Sequence, residues 1–195
     1  MNYIVLDLEW NQSADGKAYT NSRIPFEIIQ IGAVKLDENF SEISQFDRYI
    51  RPAVYTKLHD KVQEILNVTI EELTCIGHDF TDVANDFIRW CGDDYIFCTW
   101  GQTDLTELQR NFDYYNIEYN FPMPFLFYDV QKLYSICFQD SKERTTLKNA
   151  IECRNLKVIT VPAAMPDTHH RLCLNLILKR YGSFTVLIPT EFHRI

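Results

Sequence analysis

The first ten residues constrain the fold more than any other stretch. Tyr3-Ile4-Val5-Leu6 is a short, continuous apolar run rich in β-preferring residues, which predicts a strand buried on both faces. The run leads into Asp7-Leu8-Glu9-Trp10. Side chains alternate along a strand, so Asp7 and Glu9 point to the same side. Two carboxylates on one face of a buried strand repel each other and lose hydration, and a divalent cation is the simplest group to offset that cost. A strand running out into solvent would need no such compensation, and these ten residues alone leave both readings open.

At 195 residues the chain is expected to form a single domain with a sizeable core. No apolar run approaches the roughly 20 residues needed to cross a bilayer. The amino end lacks the basic flank and cleavage site of a signal peptide, so a cytoplasmic location without a membrane partner is the expectation. Cys75, Cys91, Cys98, Cys137, Cys153 and Cys173 show no paired metal-type spacing and read as reduced, mostly buried thiols. The net charge of −8 argues against a polyanionic partner until its distribution is considered. Residues 141–195 carry nine Lys or Arg against four acids, a net of +5, which leaves −13 for the first 140. A nucleic acid could approach over the basic end while cations mask the acidic one.

Residues 11–22 are polar, contain Asp15-Gly16 and read as a loop. Residues 26–36 predict a long central strand and residues 42–51 an alternating one, joined by an Asp37-Glu38-Asn39 turn into an antiparallel hairpin. From residue 56 to 92 the pattern is helical. Val83, Phe87 and Trp90 fall on one stripe, with Asp79 or Thr81 as the N-cap and Gly92 as the stop. Residues 95–100 are a further buried strand, followed through Gly101 by an amphipathic helix with Leu105, Leu108, Phe112 and Tyr115 on one side and Asp104 in its first turn. Residues 125–128 form another apolar strand, and helices are expected at 130–138, 145–154 and about 168–181. This order implies an α/β fold, a mixed sheet covered by helices on both faces, in which strand ends could bring Asp7, Glu9 and Asp104 together.

Asp7-Leu8-Glu9 on the first strand, the strand Glu27-Ile28-Ile29-Gln30-Ile31-Gly32-Ala33-Val34, and Trp100-Gly101-Gln102-Thr103-Asp104 with Leu108 together resemble the first two motifs of DEDD-type 3′–5′ exonucleases. The resemblance covers roughly residues 3–155 and implies the ribonuclease H-like three-layer fold, a mixed five-stranded sheet flanked by helices. Within that superfamily the chain looks closest to the DEDDh branch. The resemblance implies two Mg2+ or Mn2+ ions, with Asp7 bridging both, Glu9 on one and Asp104 acting through water on the other. It also implies a histidine general base, here His170, and a fourth acid five residues after it. Leu8 and Trp10 occupy positions that contact the terminal nucleotide in relatives, although both also read as core residues.

The fourth acid is absent: Asn175 stands five residues after His170. An amide oxygen can touch a metal but brings no charge, so affinity for the second ion and activity should both fall. Three readings of this departure remain open: a lost ligand, substitution by Asp167 through a rearranged loop, or an altered reading frame after about residue 158, where the chain diverges from the family pattern. The expected function is thus metal-dependent 3′–5′ exonuclease action on single-stranded RNA or DNA ends. The alternative is a weakened or inactive nucleic-acid-binding relative. Elsewhere Asp129 reads as an N-cap, Glu27 as either a support for the site or a strand-end acid, and His59, His78 and His193 as surface residues.

Overall fold

A computed structural model of the chain describes residues 1–119, 121, 126–139 and 142–154. β1 (Asn2–Asn11) is the middle strand of a five-stranded sheet, with β2 (Glu27–Leu36) and β3 (Glu42–Tyr49) on one side and β4 (Tyr95–Thr99) and β5 (Phe127–Asp129) on the other. The β1–β2–β3 pairings are antiparallel, and β1–β4–β5 run parallel. The mixed sheet and the hairpin follow the sequence. Two details differ: β1 rather than β2 is central, and β1 continues past its acids to Asn11 instead of ending at them. The antiparallel ladder to β2 explains the extension, since it runs as far as Asn11 paired with Glu27, whereas β4 accompanies β1 only from Asn2 to Val5.

Each face of β1 meets different helices. Ile4, Leu6 and Leu8 pack with Ile28, Ile31, Ala33 and Phe46 under α3 (Phe80–Cys91) and α4 (Thr103–Tyr114), which contribute Val83, Phe87, Leu105, Leu108 and Phe112. On the opposite face Val5 and Val34 pack with Val130, Tyr134 and Ala150 of α5 (Val130–Phe138) and α6 (Leu147–Arg154). Farther along that face, Ile29 gathers Leu58, Leu66 and Leu73 around α1 (Asp60–Leu66) and α2 (Ile70–Ile76). Helices thus cover both faces of the sheet. By the alternation of side chains, Asp7 and Glu9 share the face of Val5, between its two apolar clusters.

A bulge adjusts this face. Glu9 pairs with Gln30 and Trp10 with Ile28, so Ile29 has no partner of its own on β1. The extra residue shifts the phase of β2, and Glu27 rather than Ile28 falls opposite Asn11, on the side of the acids. Local capping agrees with the sequence: Gly92 ends α3 at φ 72, and Asp129 caps α5 by accepting from the Lys132 N–H. Asp79 stands at the N-cap of α3, but its carboxylate pairs with Arg51 instead of bonding the helix. Of the four cysteines whose side chains are described, Cys91 and Cys98 are buried thiols, whereas Cys75 and Cys137 are exposed; the side chains of Cys153 and Cys173 lie outside the described residues. No described helix is long and apolar enough to cross a membrane.

Candidate active site

Past Val5, β1 loses its neighbour on the β4 side, and the start of α4 occupies that position. Thr99 ends β4, Gly101 turns the chain at φ +92, a conformation that favours glycine, and α4 begins at Thr103. The Leu8 N–H donates to Asp104 Oδ1 at 3.1 Å. Leu8 is the residue between Asp7 and Glu9, so this bond seats the α4 carboxylate among the two strand acids. Farther along the same side of α4, the fully buried Asn111 accepts from the Ile28 N–H (3.0 Å) and donates to the Phe26 carbonyl (2.9 Å), fixing the helix against β2.

The electrostatics follow from the placement. Asp104 is 8% exposed. Burial first, and the Asp7 charge second, push its carboxyl from the ordinary 3.8 up to about 7, against the lowering effect of N–H bonds from Leu8 and its own amide. A site that raises an acid this way is short of positive charge. Its donors are hard carboxylate oxygens, which suit Mg2+ or Mn2+ ions that keep water and substrate oxygens in their remaining positions. Among the described residues no group of three or more His, Cys, Asp or Glu stands arranged to hold a metal ion. The fit to divalent ions therefore rests on the chemistry of the donors.

Around the acids lie supports that periodicity did not reveal. Asn11, buried two residues beyond Glu9, donates to the Lys57 carbonyl (2.9 Å) and accepts from the His59 N–H (3.0 Å). Glu27 accepts from three successive amides, of Ala53 (2.6 Å), Val54 (2.8 Å) and Tyr55 (3.0 Å). Burial still raises its pKa, opposed by those bonds and by the Tyr115 hydroxyl. Glu27 therefore works by holding residues 53–55 at the end of the acid strand, a role more specific than either reading of the sequence. Gln30, opposite Glu9, donates to Asp47 Oδ1 at 2.7 Å. The clue to Asn11 was its place in the i, i+2 series after Asp7 and Glu9; the partners of Glu27 lie 26 to 28 residues away and gave no local signal.

Leu8 is a core residue, 4% exposed, while Trp10 is half-buried against Phe26 at a centroid distance of 5.9 Å. His59 caps α1 through Nδ1, and His78 is exposed. His170, Asn175 and Asp167, together with the helix expected at about 168–181, lie outside the described residues.

The RNase T family model, described as exonuclease, matches residues 4–170. A sequence search finds no matching curated protein. Among solved structures, the nuclease domain of 3′hExo, a DEDDh family member bound to rAMP, superposes with a TM-score of 0.68 at 19% identity, over 92% of this chain and 88% of that one. Cell-death related nuclease 4 (CRN-4) gives 0.69 at 19% identity over 92% of this chain and 62% of its own. Product-bound exonuclease I gives 0.68 at 14% identity, and there the chain spans 43% of the longer protein. At these identities the structural likenesses establish the ribonuclease H-like fold, and the family model, which extends over most of the sequence, establishes descent. The chain belongs to the exonuclease family.

Proposed function

We propose that the protein is a divalent-metal-dependent 3′–5′ exonuclease that trims single-stranded ends of RNA or DNA. The observation that carries this reading is the Leu8–Asp104 hydrogen bond, which spans 96 residues of sequence and brings the α4 acid beside those of β1 in one charge-deficient site. Asp7, Glu9 and Asp104 would hold Mg2+ or Mn2+, with Asn175 contributing a neutral oxygen to the second ion. Ions bound there supply an activated water and charge stabilisation for the leaving 3′-oxygen. His170 takes the proton of the attacking water, a task suited to an imidazole with an ordinary pKa near 6.5. Trp10 keeps ring surface accessible beside Glu9 for the terminal nucleotide, and Leu8 supports it from the core.

A labelled single-stranded oligonucleotide incubated with Mg2+ or Mn2+ should give a ladder of products shortened from the 3′ end. Asp7→Ala should slow it at least about 100-fold, the size of effect that follows loss of one transition-state contact. No ladder with either metal, and no effect of Asp7→Ala, would end the assignment. Asn175 favours a second reading, a relative that binds nucleic acid without cutting it. Asn175→Asp separates the two. It should raise the cleavage rate if the second ion is merely weakly held, and leave a binding-only protein inactive.

A further inference from the structure

The acids lie at the middle of the site face, and an arginine stands toward its β5 edge. β1, β4 and β5 run parallel, and Cys98 is flanked by Val5 on one side and Tyr128 on the other. Asp129, the next residue of β5, is therefore level with Leu6 and two strand spacings away, about 10 Å across the sheet. Its Oδ1 caps α5, and its Oδ2 lies 3.9 Å from Arg144 Nη2. α5 covers the same face of β1 that carries Asp7 and Glu9, which puts Arg144, beside the N-cap of α5, on the β5 flank of that face.

The backbone on both sides of Arg144 is held inward. The Glu143 carbonyl accepts from the buried Ser135 hydroxyl at 2.5 Å. The Thr145 carbonyl accepts from Trp100 Nε1 at 3.2 Å and from Gln131 Nε2 at 2.8 Å. Three side chains from α5 and the end of β4 thus fix the position of a surface arginine whose side chain is 59% exposed. The guanidinium itself is held lightly, with Nη1 3.4 Å from Gln131 Oε1 and the 3.9 Å pair to Asp129 the longest ion pair among the described residues. An exposed pair of this kind adds little to stability, whereas guanidinium and phosphate meet bidentately. Lys57, at the other end of the face, differs in being held by both oxygens of Asp15, at 3.0 and 3.2 Å.

We propose that Arg144 is a substrate-positioning residue that grips the phosphate backbone one or two nucleotides upstream of the terminal one. The strand then crosses from the α5 flank over the end of β4, and its 3′ end reaches Asp7 and Glu9. This deepens the exonuclease reading and rests on it. The carboxylates repel an incoming strand, and Arg144 is the positive anchor that the protein itself sets beside them.

The test measures binding of a fluorescent single-stranded decamer by anisotropy between about 50 and 200 mM salt, in a chain whose cleavage is blocked by Asp7→Ala. Adding Arg144→Ala should weaken binding several-fold and reduce the slope of log K against log[salt] by about 0.7, the value for one phosphate contact on a single strand. Arg144→Lys should keep the slope. In the cleaving protein, Arg144→Ala should raise KM for the decamer several-fold and leave kcat and KM for a dinucleotide unchanged, which a fault of folding would not do. Equal salt slopes with and without the arginine overturn its role and leave the nuclease reading intact. If the unaltered chain neither binds nor cuts oligonucleotides, the nuclease reading fails first and takes this inference with it.

Discussion

Leu8 contributes to the site through its amide, and that explains why an apolar residue separates two acids. Its side chain anchors the strand in the core while its N–H carries the bond to Asp104. The cost is electrostatic. Asp104 is raised from 3.8 to about 7 by burial and by Asp7, so the metal-free folded state takes up a proton that the unfolded chain releases at lower pH. That contribution to stability is fully present below about 3.8 and is lost as pH rises through about 7; the sum is at most about 4 kcal/mol. Asp104→Asn keeps an acceptor for Leu8 and removes the charge. It should therefore raise the melting temperature of metal-free protein at pH 8, flatten the fall in stability between pH 4 and 7, and abolish cleavage. A lower melting temperature at pH 8 would show that the acid pair is not under repulsion. At this scale period two, a local signal, put Asp7 and Glu9 on one face, and the family resemblance singled out Asp104, which the fold brings to Leu8 between them. The task of Glu27 was not legible, because its partners at residues 53–55 come from a distant loop.

Between elements, close approach matters as much as pattern. Residues 50 and 78 form a parallel bridge that ties the loop after β3 to the start of α3. Gly77, which precedes the bridge, sits so close to it that an added Cβ would lie 2.5 Å from the Arg51 nitrogen and 2.6 Å from the Leu73 carbonyl oxygen. Both obstacles are backbone and cannot swing aside. Gly77→Ala should destabilise the fold by about 1–3 kcal/mol or more, read from urea unfolding, with the metal response of the remaining folded protein unchanged. A variant as stable as the parent would contradict this packing. Helix and strand identities were legible from periodicity over residues 1–119, except for the single 3-10 turn Lys17–Tyr19 inside the stretch read as a loop. Boundaries were less so: β1 extends to Asn11 because β2 continues beside it, and the helical stretch after residue 56 divides into α1, α2 and α3 at Asn67, in the left-handed region, and at Gly77. Such breaks depend on which carbonyls find partners in other elements, which composition does not encode.

The molecule as a whole places Asp7 and Glu9 on one face of one sheet, between the α5–α6 cluster and the cluster around Ile29. The three-layer arrangement was legible in the order of strands and helices, because a parallel strand needs a crossover and a hairpin does not. The charge asymmetry of the chain, −13 over the first 140 residues and +5 after them, acquires a spatial counterpart in Arg144, which stands beside the end of β5, two strands from β1. The unpaired Ile29 has a further consequence. Were it taken into the ladder, with Ile29 opposite Trp10 and Ile28 opposite Asn11, every β2 side chain between it and the preceding loop would turn upside down. The carboxylate now clasping three amides would face the oily interior, and the segment beyond β3 would lose its mooring beside the acids of β1. One residue of slack in β2 thus decides which way Glu27 points.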